Sequence, residues 1–289
     1  MPSCRAAGQQ NRNKREVSLS RIICRLICAM GAFAMSMSVH PAAVMAQRYH
    51  DADQDSALGE SAICITNHLK NSCWHRNGSM MYYTEDGFTS SVGVDVSKWN
   101  GDIDWEALKS QGVEFVIIRL GCRGYEYGDL VLDDRFHEYM QGASNAGLQI
   151  GVYFYSQAID EDEALEEAQF VIDNLAGYSI DLPVYFDTEE VAEAQARTEV
   201  MAEGNFTFNA RAFCETIEAS GYRAGVYASS AWIRRNLDLT QLADYEIWYA
   251  SYGDVPGGDY GFDMWQYTEN GDLEGCGTYL DMNVRVNHV

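Results

Sequence analysis

A chain of 289 residues, 47% apolar and 12% aromatic, can bury one large core and has the size of a single α/β barrel domain. Its formal net charge of −23 argues against nucleic acid as a partner, because so acidic a surface repels phosphate. The same charge names no substrate, since it serves equally as a solvated surface outside the cell.

Residues 1–46 read as a targeting segment. Arg5, Arg12, Lys14, Arg15, Arg21 and Arg25 precede the mostly apolar run from Leu26 to Val39, and Ala43-Val44-Met45-Ala46 follows. That is the layout of a signal peptide with a long basic n-region, cleaved after Ala46. The apolar run falls short of the roughly 20 residues a spanning helix needs, so no stable membrane insertion is expected after cleavage. Cleavage removes six basic side chains and only Glu16 among the acids, leaving the rest more acidic still. Cys4, Cys24 and Cys28 fall in this segment, and Cys64, Cys73, Cys122, Cys214 and Cys276 follow it. Five is odd, so not all can pair internally. Cys64 and Cys73 are near enough to close a small loop, whereas Cys214 lies on an apolar helix stripe and reads as a buried thiol. No spacing resembles a zinc site, His75 included, and neither metal nor organic cofactor is expected.

Residues 47–91 are mixed and polar, with an acidic stretch from His50 to Asp55, and read as a leader segment. From Val92 the texture changes. Strand-like runs at Val92 to Val96, Phe115 to Leu120, Gln149 to Tyr155, Pro183 to Asp187 and Arg223 to Tyr227 alternate with helical patterns, the signature of βα units around a parallel sheet. Asp160 and Glu163 form a capping-box pattern ahead of Leu165, Ala168, Ile172 and Leu175 at helical spacing. Ala210, Phe213, Cys214 and Ile217 line one face of a helix that Gly221 should end. Beyond these, Glu246 to Tyr249, Met264 to Tyr267 and Tyr279 to Val284 are strand-like, with no room for full helices between them. The predicted fold is α/β, an irregular TIM-like barrel over residues 92–289 with five βα units and three closing strands.

In such barrels the reactive groups sit at strand ends and the loops after them. Asp95 lies in Gly93-Val94-Asp95-Val96-Ser97, Asp187 and Glu189 end Pro183 to Glu189, and Asp281 lies in Leu280-Asp281-Met282-Asn283. Residues i and i+2 of a strand face the same way, so Asp187 and Glu189 should project together. Glycosidic cleavage needs such carboxylates, one protonated to supply the leaving oxygen and another ionised to balance positive charge at the anomeric carbon. Acids at strand ends also serve as caps and turn residues, so the D-x-E alone is weak; four acids at three strand ends are stronger.

These positions carry a resemblance. Gly93 to Ser97 followed by Gly101-Asp102-Ile103-Asp104-Trp105 resembles the opening of the glycoside hydrolase family 25 lysozymes, the Chalaropsis-type muramidases. The similarity continues through Phe115 to Arg119, Gly151-Val152-Tyr153-Phe154, Asp187-Thr188-Glu189, Trp248 to Tyr252, Met264 to Tyr267 and the stretch Gly275 to Asn283. It implies a peptidoglycan hydrolase with an irregular barrel that cleaves the β-1,4 bond between N-acetylmuramic acid and N-acetylglucosamine; with the N-terminal signal, a secreted or wall-associated monomer acting on glycan strands is expected. By position, Glu189 would be the general acid, Asp187 its carboxylate neighbour, and Asp95 and Asp281 the other acids of the site. Many members carry Trp where Thr188 stands, a difference that bears on packing, and Cys276 is also unusual. Rings stack on sugar faces, which makes Tyr153, Tyr185, Trp248, Tyr252 and Trp265 candidate substrate-binding residues.

Three other readings compete. A zinc or Cys/His amidase lacks an H-E-x-x-H motif or a paired His cluster. A catalytically weak wall-binding barrel would call for a lost acid, and all four are present. A chitinase-like barrel would carry a longer acidic run before Glu189 than Asp181 to Asp187 provides.

Overall fold

β-Branched and aromatic runs cannot bury both faces alone, and here they close into a ring covered by amphipathic helices. The computed structural model describes residues 66–191, 196–201 and 205–289. The expected signal segment, Cys64 and the first part of the expected leader lie outside the described residues. A hairpin of β1 (Trp74–Asn77) and β2 (Met80–Tyr83) precedes β3 (Phe88–Val96), α1 (Trp105–Ser110), β4 (Phe115–Arg123), β5 (Leu130–Leu132), α2 (Phe136–Asn145) and β6 (Gln149–Tyr155). Then come α3 (Glu161–Leu175), β7 (Val184–Asp187), α4 (Asn205–Ala219), β8 (Ala224–Ser229), α5 (Ser230–Asn236), β9 (Glu246–Ala250), β10 (Met264–Gly271) and β11 (Leu280–His288).

Strands β3, β4, β6, β7, β8, β9 and β10 pair parallel in that order. β11 pairs antiparallel with both β10 and β3 and closes an eight-stranded barrel, with β5 flanking β4 outside the ring. The reversed strand makes the barrel irregular, and no α-helix separates β9 from β10 or β10 from β11.

Strand alternation splits the core in two. Val92, Val94, Val116, Ile118, Val152, Phe154, Val184, Phe186 and Val226 face outward into the main core under the helices, while Phe115, Ile117, Tyr185, Tyr227, Trp248 and Met264 fill the barrel. The inner rings fit because glycines face them. A Cβ on Gly93 would lie 2.4 Å from the Phe115 ring, and one on Gly225 2.5 Å from that of Tyr185.

Two local expectations change. In α3 the buried residues are Ala164, Glu167, Ala168, Val171 and Leu175, and Leu165 is exposed. The inward face carries an acid because Arg123 Nε donates to Glu167 Oε1 at 2.8 Å; a buried ion pair replaces the apolar residue that periodicity alone would demand. Asp160 does cap α3, accepting from the Glu163 amide at 3.0 Å. The second change concerns the expected leader. From Thr66 onward it packs on the barrel, with Trp74, Met80, Met81 and Tyr83 buried in the main core, and β3 begins at Phe88.

Candidate active site

The four acids converge at one end of the barrel. Asp95 is the penultimate residue of β3, Asp187 the last of β7, and Glu189 follows two residues later. Asp281 is the second residue of β11, which runs the opposite way and therefore delivers its beginning to the mouth formed by the other strands' C-terminal ends. In register it lies directly opposite Asp95, a cross-strand position where like charges repel.

Asp95 is buried and held by two amides. Gln266 Nε2 and Asn283 Nδ2 each donate to its Oδ2 at 2.8 Å. The Asn283 orientation is fixed from behind, because Trp248 Nε1, which can only donate, reaches Asn283 Oδ1 at 2.8 Å. Tyr227 OH and Tyr252 OH donate to Gln266 Oε1 at 2.9 and 3.1 Å. Burial and the Asp281 charge push the Asp95 carboxyl well above the usual range, and the two amides pull against that shift.

Asp187 has no such support. It is buried, and its Oδ1 has no hydrogen-bond partner among the described residues. Burial, then the charges of Glu189 and Asp95, raise its carboxyl, with Arg119 pulling the other way. Glu189 is half-buried; its carboxyl is pushed up to about 7, by burial first and then by Asp281. Burial and Glu269 lift Asp281 to about 6. All four carboxyls are thus pushed upward, Glu189 to about 7 and Asp281 to about 6, so the mouth holds acids able to give a proton near neutrality.

Two further contacts shape this end. Arg119, buried inside β4, pairs with buried Asp133 at 2.6 Å. Thr188 turns away from the mouth, and its Oγ1 accepts from Trp232 Nε1 at 3.0 Å. This gives the residue between the paired acids a packing role.

A family model for glycosyl hydrolases family 25 matches residues 94–276. The chain belongs to glycosyl hydrolase family 25. Among family relatives, it is similar to the autolytic lysozyme of Clostridium acetobutylicum, 29% identical over 66% of this chain and 54% of that one. It is also similar to lysozyme M1 of Streptomyces globisporus, 28% identical over 68% of each. The chain thus spans about half the length of the Clostridium protein. Its fold is similar to that of part of the modular autolysin LytC from Streptococcus pneumoniae, solved in complex with a synthetic peptidoglycan ligand, with a TM-score of 0.60 and 22% identity over 73% of this chain and 51% of that one.

Of the five candidate sugar-binding rings in this family 25 barrel, two have accessible surface at the mouth. Tyr153 is half-buried, near enough to feel Arg119, Asp95 and Asp187, and Tyr252 is 51% exposed. Tyr185 and Trp248 point into the barrel but are fully buried, Tyr185 one inward step before Asp187 on β7. Trp265 is placed elsewhere altogether. With Met264 and Gln266 facing inward on β10, it must face outward, where it packs edge-on against Trp74 at 4.9 Å. The residues that hold Asp95, namely Gln266 and Asn283, and Tyr227 behind Gln266, were not singled out by sequence reasoning. Their signal was a polar side chain at inward parity within an apolar strand, as in Met264-Trp265-Gln266-Tyr267.

Cys214 is buried on α4, with its thiol toward Gly225 O at 3.6 Å. Cys276 is half-buried on the β10–β11 connection, its Sγ 3.6 Å from Asn100 O, and pairs in a β-bridge with Ile103. Cys73 forms no disulfide with a described residue. At the opposite end of the barrel a depression of about 350 Å³ is lined by Tyr245, Glu246, Phe262 and Asp263. Its Glu246 is taken up by Arg223 at 2.7 Å and Arg285 at 2.8 Å, a structural arrangement.

Proposed function

We propose that this chain is a muramidase that cleaves the β-1,4 bond between N-acetylmuramic acid and N-acetylglucosamine in peptidoglycan, with Glu189 as general acid and Asp187 as its carboxylate partner. Family membership supports the reaction class. The observation that carries the residue roles is the pair itself: a half-buried Glu189 lifted to about 7, beside an Asp187 whose buried Oδ1 has no described protein partner. An acid titrating near neutrality is suited to give the leaving oxygen its proton. Burial and its acidic neighbours favour the protonated form of Asp187 in the free protein, with Arg119 opposing them; once ionised, its Oδ1, which no described residue claims, is suited to accept the N–H of the 2-acetamido group on the sugar being cleaved. The carbonyl oxygen of that group attacks the anomeric carbon as Glu189 protonates the leaving oxygen, and Asp187 balances the charge that develops on the acetamido nitrogen. Water then restores the sugar, with Glu189 taking its proton, so the configuration is retained. Asp95 and Asp281 add negative potential beneath the positive charge of the transition state.

Digestion of purified peptidoglycan tests the reading. New reducing ends at N-acetylmuramic acid are expected; reducing ends at N-acetylglucosamine, or free amino groups alone, would overturn it. Early product of inverted configuration would refute the acetamido route and leave the muramidase reading in place. We also propose export through residues 1–46, with N-terminal sequencing of secreted protein expected to start at or near Gln47; retention of the full chain in membranes would count against it.

A further inference from the structure

The β1–β2 hairpin precedes the segment that matches the family, residues 94–276, yet it contacts the connection from Ser251 to Asp263 that carries Tyr252. Arg76, on β1, makes two contacts there and a third with β10. Its Nη2 donates to Gly253 O at 3.2 Å, its Nε to Asp254 Oδ1 at 3.3 Å, and its guanidinium stacks over the Tyr267 ring with 5.3 Å to the centroid. Tyr267 in turn accepts the Gly253 amide on its carbonyl at 3.1 Å and donates its hydroxyl to Ser79 O in the hairpin turn at 2.9 Å. The same connection is tied to the chain ahead of the hairpin at its far side, where the Asn67 amide donates to Asp259 O at 2.8 Å and Thr66 bridges Tyr260.

The residue immediately before Gly253 is Tyr252, whose half-exposed ring stands at the mouth while its hydroxyl reaches Gln266 Oε1. A planar guanidinium that takes the next carbonyl and stacks on the neighbouring strand fixes that backbone in a way a flexible ammonium would not. We propose that Arg76 is a positioning residue, through which the hairpin braces the β9–β10 connection and holds Tyr252 at the mouth as a glycan-binding ring. The role of the ring rests on the muramidase reading above; the brace itself does not.

Two measurements separate the two. By hydrogen exchange, the Gly253 and Gly257 amides should exchange at least about tenfold faster in Arg76→Ala than in the parent protein, whatever the substrate. Unchanged rates would overturn the brace. In steady-state assays on soluble peptidoglycan fragments, Arg76→Ala should raise KM about three- to tenfold and leave kcat and its pH profile within about twofold. In a Tyr252→Ala background the same substitution should add nothing further to KM, since both act through one ring. Additive effects of the two substitutions, or an equal loss in kcat, would overturn the assignment. Inactivity of the parent protein on peptidoglycan would overturn the muramidase reading while the exchange result still decides the brace.

Discussion

Replacing Gln266 by Met removes one of the two donors to Asp95 at nearly constant volume. A hydrogen bond to a charged group contributes about 1.5–3 kcal/mol, and the 2.8 Å contact from Gln266 Nε2 is of that kind. Burial and Asp281 already disfavour the Asp95 anion, so losing the donor shifts its ionisation further toward the protonated form, by about ten- to hundredfold in the equilibrium constant. Asn283 Nδ2 remains, which keeps the effect below a complete loss of the anion. The substitution also leaves the buried Tyr227 hydroxyl without its acceptor, for a further stability cost of about 1–3 kcal/mol, while the exposed Tyr252 can turn to water. The assay is the pH dependence of kcat/KM on soluble peptidoglycan fragments. The acidic limb should move to higher pH, with activity partly regained as the pH rises. A uniform drop with the acidic limb in place would refute the idea that Gln266 acts by sustaining a charged Asp95.

Glu189→Gln should lower kcat by about two to four orders of magnitude, the usual worth of a general acid, with glycan binding kept; near-parental activity on intact walls would remove Glu189 from the acid role. Because Glu189 is lifted to about 7, parental activity should fall as pH rises through that value. Its ionisation also opposes folding over the range from its ordinary value up to about 7, so Glu189→Gln should melt higher than the parent at pH 8 and at a similar temperature at pH 4. Thr188→Val strands the Trp232 indole N–H and should cost about 1–2 kcal/mol in denaturant unfolding with little change in kcat. Arg119→Met leaves Asp133 buried without its cation and should cost about 3–5 kcal/mol by the same measurement.

The strands and helices from Val92 onward were legible because their burial is periodic. The run Gln149 to Tyr155 folds as read, and the stripe Ala210, Phe213, Cys214 and Ile217 is buried as a unit. The acids were legible by position, since residue types that belong in water were found at the ends of apolar runs. Elsewhere the local pattern was silent or misleading. Glu167 occupies the inward face of α3 because Arg123 arrives from a strand 44 residues away in sequence to neutralise it. The hairpin looked like a polar leader because only four of its side chains are buried, against a surface that exists only once β10 has formed.

From Val92 onward the sequence by itself determined the type and order of the main strands and helices and offered the candidate acids, since periodicity and side-chain chemistry are local properties. Tertiary structure alone decided which of the acids meet and what surrounds them. The reversal of β11 brings Asp281 opposite Asp95, strand parity on β10 sends Trp265 into the outer core and Gln266 to Asp95, and closure of the ring buries Asp187 with one oxygen left without a partner among the described residues. Pairing partners, inward parity and burial are relations between segments distant in the chain, and they acquire values only when the barrel closes.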